Sequence, residues 1–187
     1  MKQYIFPSIR LTIILIIICG FLYPFLISAI GKMAPGHGKG ETITVNGRVV
    51  GYEKIGQKFT GDRYFTGRPS IVDYNAAASG GSNMGPSNPD YLKKVNDRID
   101  SFLVHNPGIS KNKIPAEMVT ASGSGLDPDI SPASAEIQVE RISRARKIDA
   151  QKISFLIHQH TVKPLLGFLG PKKINVLKLN IALDSLK

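Results

Sequence analysis

The longest apolar run in the chain lies near its N-terminus and contains no charged residue. It covers residues 11–31, LTIILIIICGFLYPFLISAIG, a run of 21 positions. At 1.5 Å rise per residue this length matches the roughly 30 Å hydrocarbon core of a bilayer. We therefore predict one transmembrane helix here, preceded by a short tail of residues 1–10. Pro24 is expected to disturb this helix without ending it, because membrane helices tolerate proline.

A cleaved signal peptide is the alternative explanation of this run. Ala29, Ile30 and Gly31 resemble the small-residue site at which such a peptide is cut. The apolar region of a signal peptide, however, spans only about 7–15 residues. The greater length of residues 11–31 favours an uncleaved anchor.

The pattern changes after the apolar run. Residues 32–41 contain Pro35 and several glycines and predict a flexible stalk, and residues 42–187 predict one soluble domain. Near the start of that domain, Asn46-Gly47 separates the short runs ITV and RVV, which is typical of a β-hairpin with a type I′ turn. Residues 55–59 predict a further short strand.

Apolar residues recur at helical spacing in the second half of the chain. Helix starts are predicted at Asn88-Pro89, Ser131-Pro132 and Asp149, because Asn, Ser and Asp are good N-caps and proline suits the first helical position. Residues 115–121 predict a short helix, whereas residues 174–183 fit either a strand or a helix. The apolar positions are Leu92, Val95, Ile99, Phe102 and Leu103, then Ala135, Val139 and Ile142, then Ile153, Leu156 and Ile157.

These patterns together predict an α+β protein. It has a single N-terminal transmembrane helix followed by one soluble domain, with a small antiparallel sheet near its start and several helices after residue 88.

One long segment between the predicted sheet and helices is dense in Gly, Ser, Asn and Pro. It covers residues 64–89, YFTGRPSIVDYNAAASGGSNMGPSNP. The aromatic residues and X-Pro steps inside it favour an ordered, functional loop over a plain linker. Its three glycines Gly80, Gly81 and Gly85 can take positive φ at little steric cost. The candidate partner-docking residues are Arg68, Tyr74, Asn75, Asn83 and Asn88.

Charge is distributed unevenly along the chain. The formal net charge is +10, and residues 141–187 alone hold ten Lys or Arg against two Asp. Such a basic segment suits a solvated helix face, anionic lipid or an acidic protein. Nucleic acid is not expected as a partner, because no recognised binding motif accompanies the charge and the chain carries a membrane anchor. The only cysteine, Cys19, lies in the apolar run, so no intrachain disulfide is possible.

The glycine-rich segment also offers a candidate nucleotide site. Exposed backbone N–H groups bind phosphate, so Ser79, Gly80 and Gly81 are the candidate residues for ATP. The segment lacks the Gly-Lys-Ser/Thr ending of a P-loop. It resembles part of the ABC-transporter signature, but Ser82 stands where that motif has Gln.

No catalytic or metal site is predicted. Asp127 and Asp129 flank Pro128 and are expected to form a cap or turn, because they are too close in sequence to straddle a substrate. His158 and His160 point about 200° apart on a helix, and no acidic cluster accompanies them. We expect His158 to be exposed and His160 to be partly buried.

Three stretches in order carry a specific family resemblance. They are YFTGRPS with YNAAASGGSNMGPSNP, then VTASGSGLDP with ISP at 130–132, then NVL and LN at 175–180. With the N-terminal apolar run, they resemble the C subunit of the Kdp potassium-transporting P-type ATPase over almost the whole chain.

The resemblance implies an accessory subunit of a high-affinity, ATP-driven potassium uptake pump. It implies a catalytic P-type ATPase subunit and a potassium-channel-like subunit as partners, membrane lipid around the anchor, and a bacterial inner-membrane location. Its N-terminus would be cytoplasmic and its soluble domain outside. The resemblance also implies that the subunit raises the ATP affinity of the catalytic subunit, and it makes ATP a possible ligand of this chain. Because ATP is cytoplasmic, we expect an outside domain to act without binding ATP itself. The alternative is a membrane-anchored extracytoplasmic binding protein or hydrolase that acts alone.

The chain also lacks the parts of a pump. It contains no Asp-Lys-Thr-Gly phosphorylation sequence, and one membrane helix cannot enclose an ion path. Transport and ATP hydrolysis would therefore belong to other chains.

Overall fold

A computed structural model describes residues 2–186 and divides the chain into two compact units, residues 1–42 and 43–187. The first unit is helical from Lys2–Ile16 (α1), through a π-helical segment at Ile17–Leu22, to Tyr23–Gly31 (α2). Among the described residues, one helix, Gln3–Gly31, is long and apolar enough to cross a membrane. The predicted single membrane helix is confirmed in this sense, and helix extends back through the predicted tail.

The π-helical segment lies directly before Pro24, where the sequence predicted a disturbance. Proline has no N–H to donate to the carbonyl four residues earlier, and its ring crowds that carbonyl. A wider π turn accommodates both effects while the helix continues. Pro24 therefore occupies the first turn of α2, a position that needs no donor.

Two small sheets belong to the second unit. The predicted hairpin is confirmed: β1 (Thr42–Val45) pairs with β2 (Arg48–Tyr52), and Asn46 and Gly47 have φ of 51° and 76°, as a type I′ turn requires. The second sheet pairs β3 (Asp129–Ile130) with β4 (Ile174–Asn175) in antiparallel register.

The prediction of a third strand at residues 55–59 is wrong. These residues belong to no strand in the structure. The N–H of Gly56 donates instead to the carbonyl of Leu126 at 2.8 Å, and a Cβ atom at Gly56 would lie 2.4 Å from the carbonyl oxygen of Asp127. A close approach to a loop, rather than strand pairing, fixes this segment.

The helices mostly begin where the sequence predicted. The long helix α3 (Pro89–His105) is capped by Asn88, whose side chain accepts from the N–H groups of Asp90 and Tyr91. The helix predicted after Ser131 is interrupted at residues 137–138 and forms α4 (Pro132–Glu136) and α5 (Val139–Arg146). Asp149 caps α6 (Ala150–His160) through the N–H of Gln151.

The two remaining helix predictions come out differently from each other. Residues 115–121 contain only a short 3₁₀ turn, Ala116–Met118. The ambiguous residues 174–183 begin as β4 and continue as α7 (Val176–Ser185), which starts at the cap residue Asn175.

The core of the second unit lies where α4 to α7 pack together. Two of the predicted apolar faces are buried: Ala135, Val139 and Ile142 on α4 and α5, and Ile153, Leu156 and Ile157 on α6. The apolar face predicted on α3 has no buried residue, and Leu92 at its start is 47% exposed. The other buried members of this core are Phe65, Met118, Ile130, Ile174, Val176, Leu179 and Leu183. Phe65 is the one that belongs to the glycine-rich segment, so this segment is attached to the core at its start.

Candidate functional site

Two glycine-rich loops lie side by side on the second unit. We call residues 64–88 the first loop and residues 119–128 the second loop. The N–H of Ser122 donates to the carbonyl of Pro69 at 3.2 Å, and the N–H of Gly80 donates to the carbonyl of Ser124 at 2.9 Å. These cross-loop bonds make the first loop ordered, as the sequence predicted.

The same bonds occupy the donors of the candidate nucleotide residues. The Ser79 hydroxyl donates to the Ser124 carbonyl at 3.1 Å, the same oxygen that accepts from Gly80. A Cβ atom at Gly81 would lie 3.0 Å from the carbonyl oxygen of Gly123. The hydroxyl of Ser79 and the N–H of Gly80 therefore stabilise the contact between the loops, which reduces the number of donors that could hold phosphate.

An ion pair joins the two loops near their other end. The guanidinium of Arg68 donates to a carboxylate oxygen of Asp127 at 3.0 Å, and both side chains are about a quarter exposed, at 25% and 29%. The other carboxylate oxygen of Asp127 accepts from the N–H of Asp129, which is the predicted turn. Arg68 thus binds a carboxylate of its own domain.

Tyr74 closes the first loop on itself. Its hydroxyl donates to the carbonyl of Arg68, and its N–H donates to the hydroxyl of Ser70. Burial, and after it the negative charge of Asp127, raise the pKa of the Tyr74 hydroxyl to about 12. The phenol stays neutral at physiological pH and acts as a hydrogen-bond donor.

Positive φ falls on residues other than the glycines that the sequence singled out. Gly80, Gly81 and Gly85, which could take positive φ at little steric cost, are not in the left-handed region. In and around the loops the left-handed positions are Asp73, Tyr74, Asn83 and Gly125. Gly125, at φ 68°, lies where a Cβ atom would meet Val72 at 2.6 Å and the carbonyl oxygen of Gly80 at 2.9 Å. The close packing of the two loops therefore depends on the glycine of the second loop.

The three candidate asparagines have different positions. Asn75 caps a 3₁₀ turn at Ala76–Ala78, and Asn88 caps α3. Asn83 is exposed and has a φ of 49°. Residues 75–79 are exposed as well, so the loop presents a ridge of small and polar residues on a fixed backbone.

Sequence reasoning missed a buried polar network beneath the first loop. Gln138 accepts from the N–H of Thr66 at 2.8 Å, and Asn180 both accepts from and donates to the backbone of Phe65. Arg141 donates to the carbonyls of Asp62 and Tyr64 at 2.7 and 3.0 Å. The sequence did contain a signal for this network: Asn180 is a polar residue among the apolar positions Leu179 and Leu183 of α7.

The basic segment is therefore only partly the solvated face that was one of its predicted roles. Arg141 is only 6% exposed, and burial lowers the pKa of its guanidinium while Asp62 opposes this change. Arg146 lies over the ring of Tyr64 and pairs with Asp184 at 2.6 Å. Two arginines of α5 thus hold the first loop and α7 in place.

Residues 2–186 contain no cluster of three His, Cys, Asp or Glu side chains that could hold a metal ion. His158 is exposed and His160 half-buried, as predicted. A cleft of about 320 Å³ lies beside α3, lined among others by Asp62, Arg98 and His105. His105 bonds Asp62 across it at 2.8 Å.

Comparison with known proteins matches this chain over nearly its full length. A family model described as "K+-transporting ATPase, c chain" matches residues 5–185. A Flavobacterium psychrophilum protein, "Potassium-transporting ATPase KdpC subunit", is 54% identical over 98% of both chains. Proteins of the same name from Bacteroides fragilis and Caldanaerobacter subterraneus are 47% and 42% identical, over 96% and 98% of this chain and 96% and 95% of their own. The chain therefore belongs to the KdpC family, the c chains of potassium-transporting ATPases.

Proposed function

We propose that this chain is a non-catalytic accessory subunit that assembles and stabilises a high-affinity, ATP-driven potassium uptake pump. The partners are a catalytic P-type ATPase subunit, which hydrolyses ATP, and a potassium-channel-like subunit. The membership of the family over residues 5–185 supports this role.

The structural observation that carries the proposal is the form of the first loop. Its backbone is held by cross-loop bonds and by the buried network, whereas the side chains of residues 75–79 are exposed. An exposed ridge with a fixed backbone loses little conformational entropy on binding, so it suits docking to another subunit. The exposed residues are small or polar. Such a surface can face water before the partner subunit covers it.

A pull-down of the detergent-solubilised complex tests this docking role. Ala77→Glu adds a charge to the exposed ridge, and Ala145→Glu adds the same charge to an exposed position of α5. We expect Ala77→Glu to lower the yield of co-purified pump subunits at an unchanged melting temperature, and Ala145→Glu to keep the yield. Equal yields from both variants would show that the ridge is not a docking surface.

The accessory role includes a higher ATP affinity of the catalytic subunit, reached without direct nucleotide contact. The soluble domain lies on the outer side of the inner membrane and ATP on the other side. A shift between pump conformations of about 1–3 kcal/mol transmits the effect and suffices for a several-fold change in apparent affinity. The Ser79 hydroxyl and the Gly80 N–H already donate to the Ser124 carbonyl, which supports this indirect route over a phosphate cradle.

Two measurements separate the indirect route from direct binding. Val104→Cys and Ala145→Cys, each in a Cys19→Ser background, place single exposed thiols on the domain outside the docking ridge. An impermeant thiol reagent is expected to label both in intact cells. Labelling only after permeabilisation, together with ATP binding to the isolated subunit, would instead favour the cradle of Ser79, Gly80 and Gly81.

A further inference from the structure

An exposed apolar hairpin projects from the second unit between α6 and β4. We call residues 162–173 the lysine-flanked hairpin. Val162 and Lys173 exchange two backbone hydrogen bonds at 2.8 and 3.2 Å, and Leu165 and Leu169 exchange two more at 3.0 and 2.9 Å. These bonds define its shape from base to tip.

Its tip carries large apolar side chains that are turned away from the core. Leu166 and Phe168 are each 75% exposed, and Leu165 and Leu169 beside them are exposed as well. Leu166 has a φ of 53°, which a branched side chain rarely adopts, and Gly167 follows at 84°. Contiguous apolar exposure of this kind marks an interaction surface, and a backbone outlier at the same residue points to function as well.

The base of the hairpin carries positive charge on both strands. Lys163 and Lys172 are exposed, and Lys173 pairs with Asp129 at 2.6 Å. The hydrogen bond that the Lys173 ammonium donates to Asp129, only partly opposed by burial, raises the pKa of this ammonium. An apolar tip above a cationic base matches a bilayer surface, where apolar side chains enter the acyl boundary and lysines meet anionic headgroups.

The anchor determines which surface is within reach. The ten residues 32–41 connect the end of α2 to β1, and at full extension they span at most about 36 Å. The tether therefore keeps the hairpin at a high effective concentration near lipid, whether or not another subunit is present.

We propose that the lysine-flanked hairpin inserts its tip into the surface of the membrane that holds the anchor, with Lys163 and Lys172 contacting anionic phospholipid headgroups. The domain then has two attachments to the bilayer, the helix at its N-terminal side and this hairpin. The surface is separate from the paired glycine-rich loops and does not depend on their role.

Tryptophan fluorescence of the full chain in vesicles tests the insertion. The chain contains no Trp, so Phe168→Trp introduces a single reporter at the tip. Phe155→Trp is the matched control, because Phe155 is also exposed, at 63%, but lies on α6. The vesicles contain phosphatidylglycerol and phosphatidylcholine brominated on its acyl chains, and both leaflets carry the quencher, so orientation does not matter.

We expect Phe168→Trp to emit at shorter wavelength and to be quenched by the brominated lipid, and Phe155→Trp to show neither effect. Circular dichroism checks that both variants melt as the native chain does. Equal, weak quenching of both reporters would overturn the proposal. The proposal would also be overturned if Phe168→Trp were not quenched in vesicles but shifted to shorter wavelength on assembly with the pump subunits. The tip would then be a subunit interface.

The lysines are tested in the same Phe168→Trp background. Lys163→Gln and Lys172→Gln are each expected to weaken the contact about five-fold, the factor for one lysine near an anionic surface. Replacing phosphatidylglycerol with phosphatidylcholine should have the same effect as both substitutions together. If neither the Lys→Gln substitutions nor the removal of phosphatidylglycerol changes the quenching, the headgroups do not have the assigned role.

Discussion

Asn180 and Phe65 exchange two buried hydrogen bonds across 115 residues of sequence. The side-chain oxygen of Asn180 accepts from the N–H of Phe65 at 2.8 Å, and its amide donates back to the carbonyl of Phe65 at 2.9 Å. This is the exchange that two residues of neighbouring antiparallel strands make. A single side chain on α7 thus supplies the start of the first loop with the partner that a strand would otherwise provide.

Asn180→Ala is expected to lower the free energy of unfolding by about 2–4 kcal/mol, because it leaves the N–H and the carbonyl of Phe65 buried without partners. Chemical denaturation of the purified chain measures this loss. Asn96→Ala is the control, since Asn96 lies on the exposed side of α3 and gains the same helix propensity. A similar change in both variants would show that the Phe65 bonds contribute little.

Arg141→Met is expected to destabilise the domain by about 2–4 kcal/mol. The guanidinium satisfies the carbonyls of Asp62 and Tyr64, and methionine fills a similar volume without any donor. Arg144→Met, on the exposed side of the same helix, should change the free energy of unfolding by less than about 0.5 kcal/mol. If Arg141→Met behaves like Arg144→Met, the network does not stabilise the first loop.

Gly125→Ala is expected to cost about 1–3 kcal/mol, because its φ of 68° and its contacts with Val72 and the Gly80 carbonyl exclude a Cβ atom. Gly80→Ala should be nearly neutral, since its Cβ atom would meet no atom within 4 Å. Melting temperatures of the two variants give the comparison. A larger loss for Gly80→Ala would contradict the structure of the paired loops.

Glu117 is expected to make the domain sensitive to acid. Burial opposes ionisation of this carboxyl, but hydrogen bonds from Ser134 and Ser131 outweigh it and hold its pKa below the ordinary 4.5. Ionised Glu117 therefore contributes stability above pH 4.5, and this contribution is lost as the pH falls through the lowered pKa.

Glu117→Gln should accordingly melt at a lower temperature than the native chain at pH 7, and the difference should shrink below pH 4.5. Glu140→Gln, at an exposed position of α5, is the control and should follow the native chain at every pH. A difference that stays constant across this range would mean that the charge of Glu117 is not what stabilises the domain.

Local signals in the sequence were sufficient where one or two residues decide the structure. The turn at Asn46-Gly47, the caps at Asn88 and Asp149, and the apolar faces of α5 and α6 follow from such signals. Long-range partners are not visible locally. The pairing of Arg68 with Asp127, and of Gly80 with Ser124, depends on how the loops meet. For the same reason the sequence alone did not show that Gly125 is the glycine that takes positive φ.

The pairing of Asn180 with Phe65 also sets the order in which the domain can be completed during synthesis. At about 5–20 residues per second, the ribosome needs about 6–23 s to add the 115 residues that separate the two partners. For that interval Phe65 and its neighbours have no α7 to bind, and their apolar side chains stay open to other contacts. The helix Gln3–Gly31, which is long and apolar enough to cross a membrane, is by then already made, so the domain is completed only after this helix.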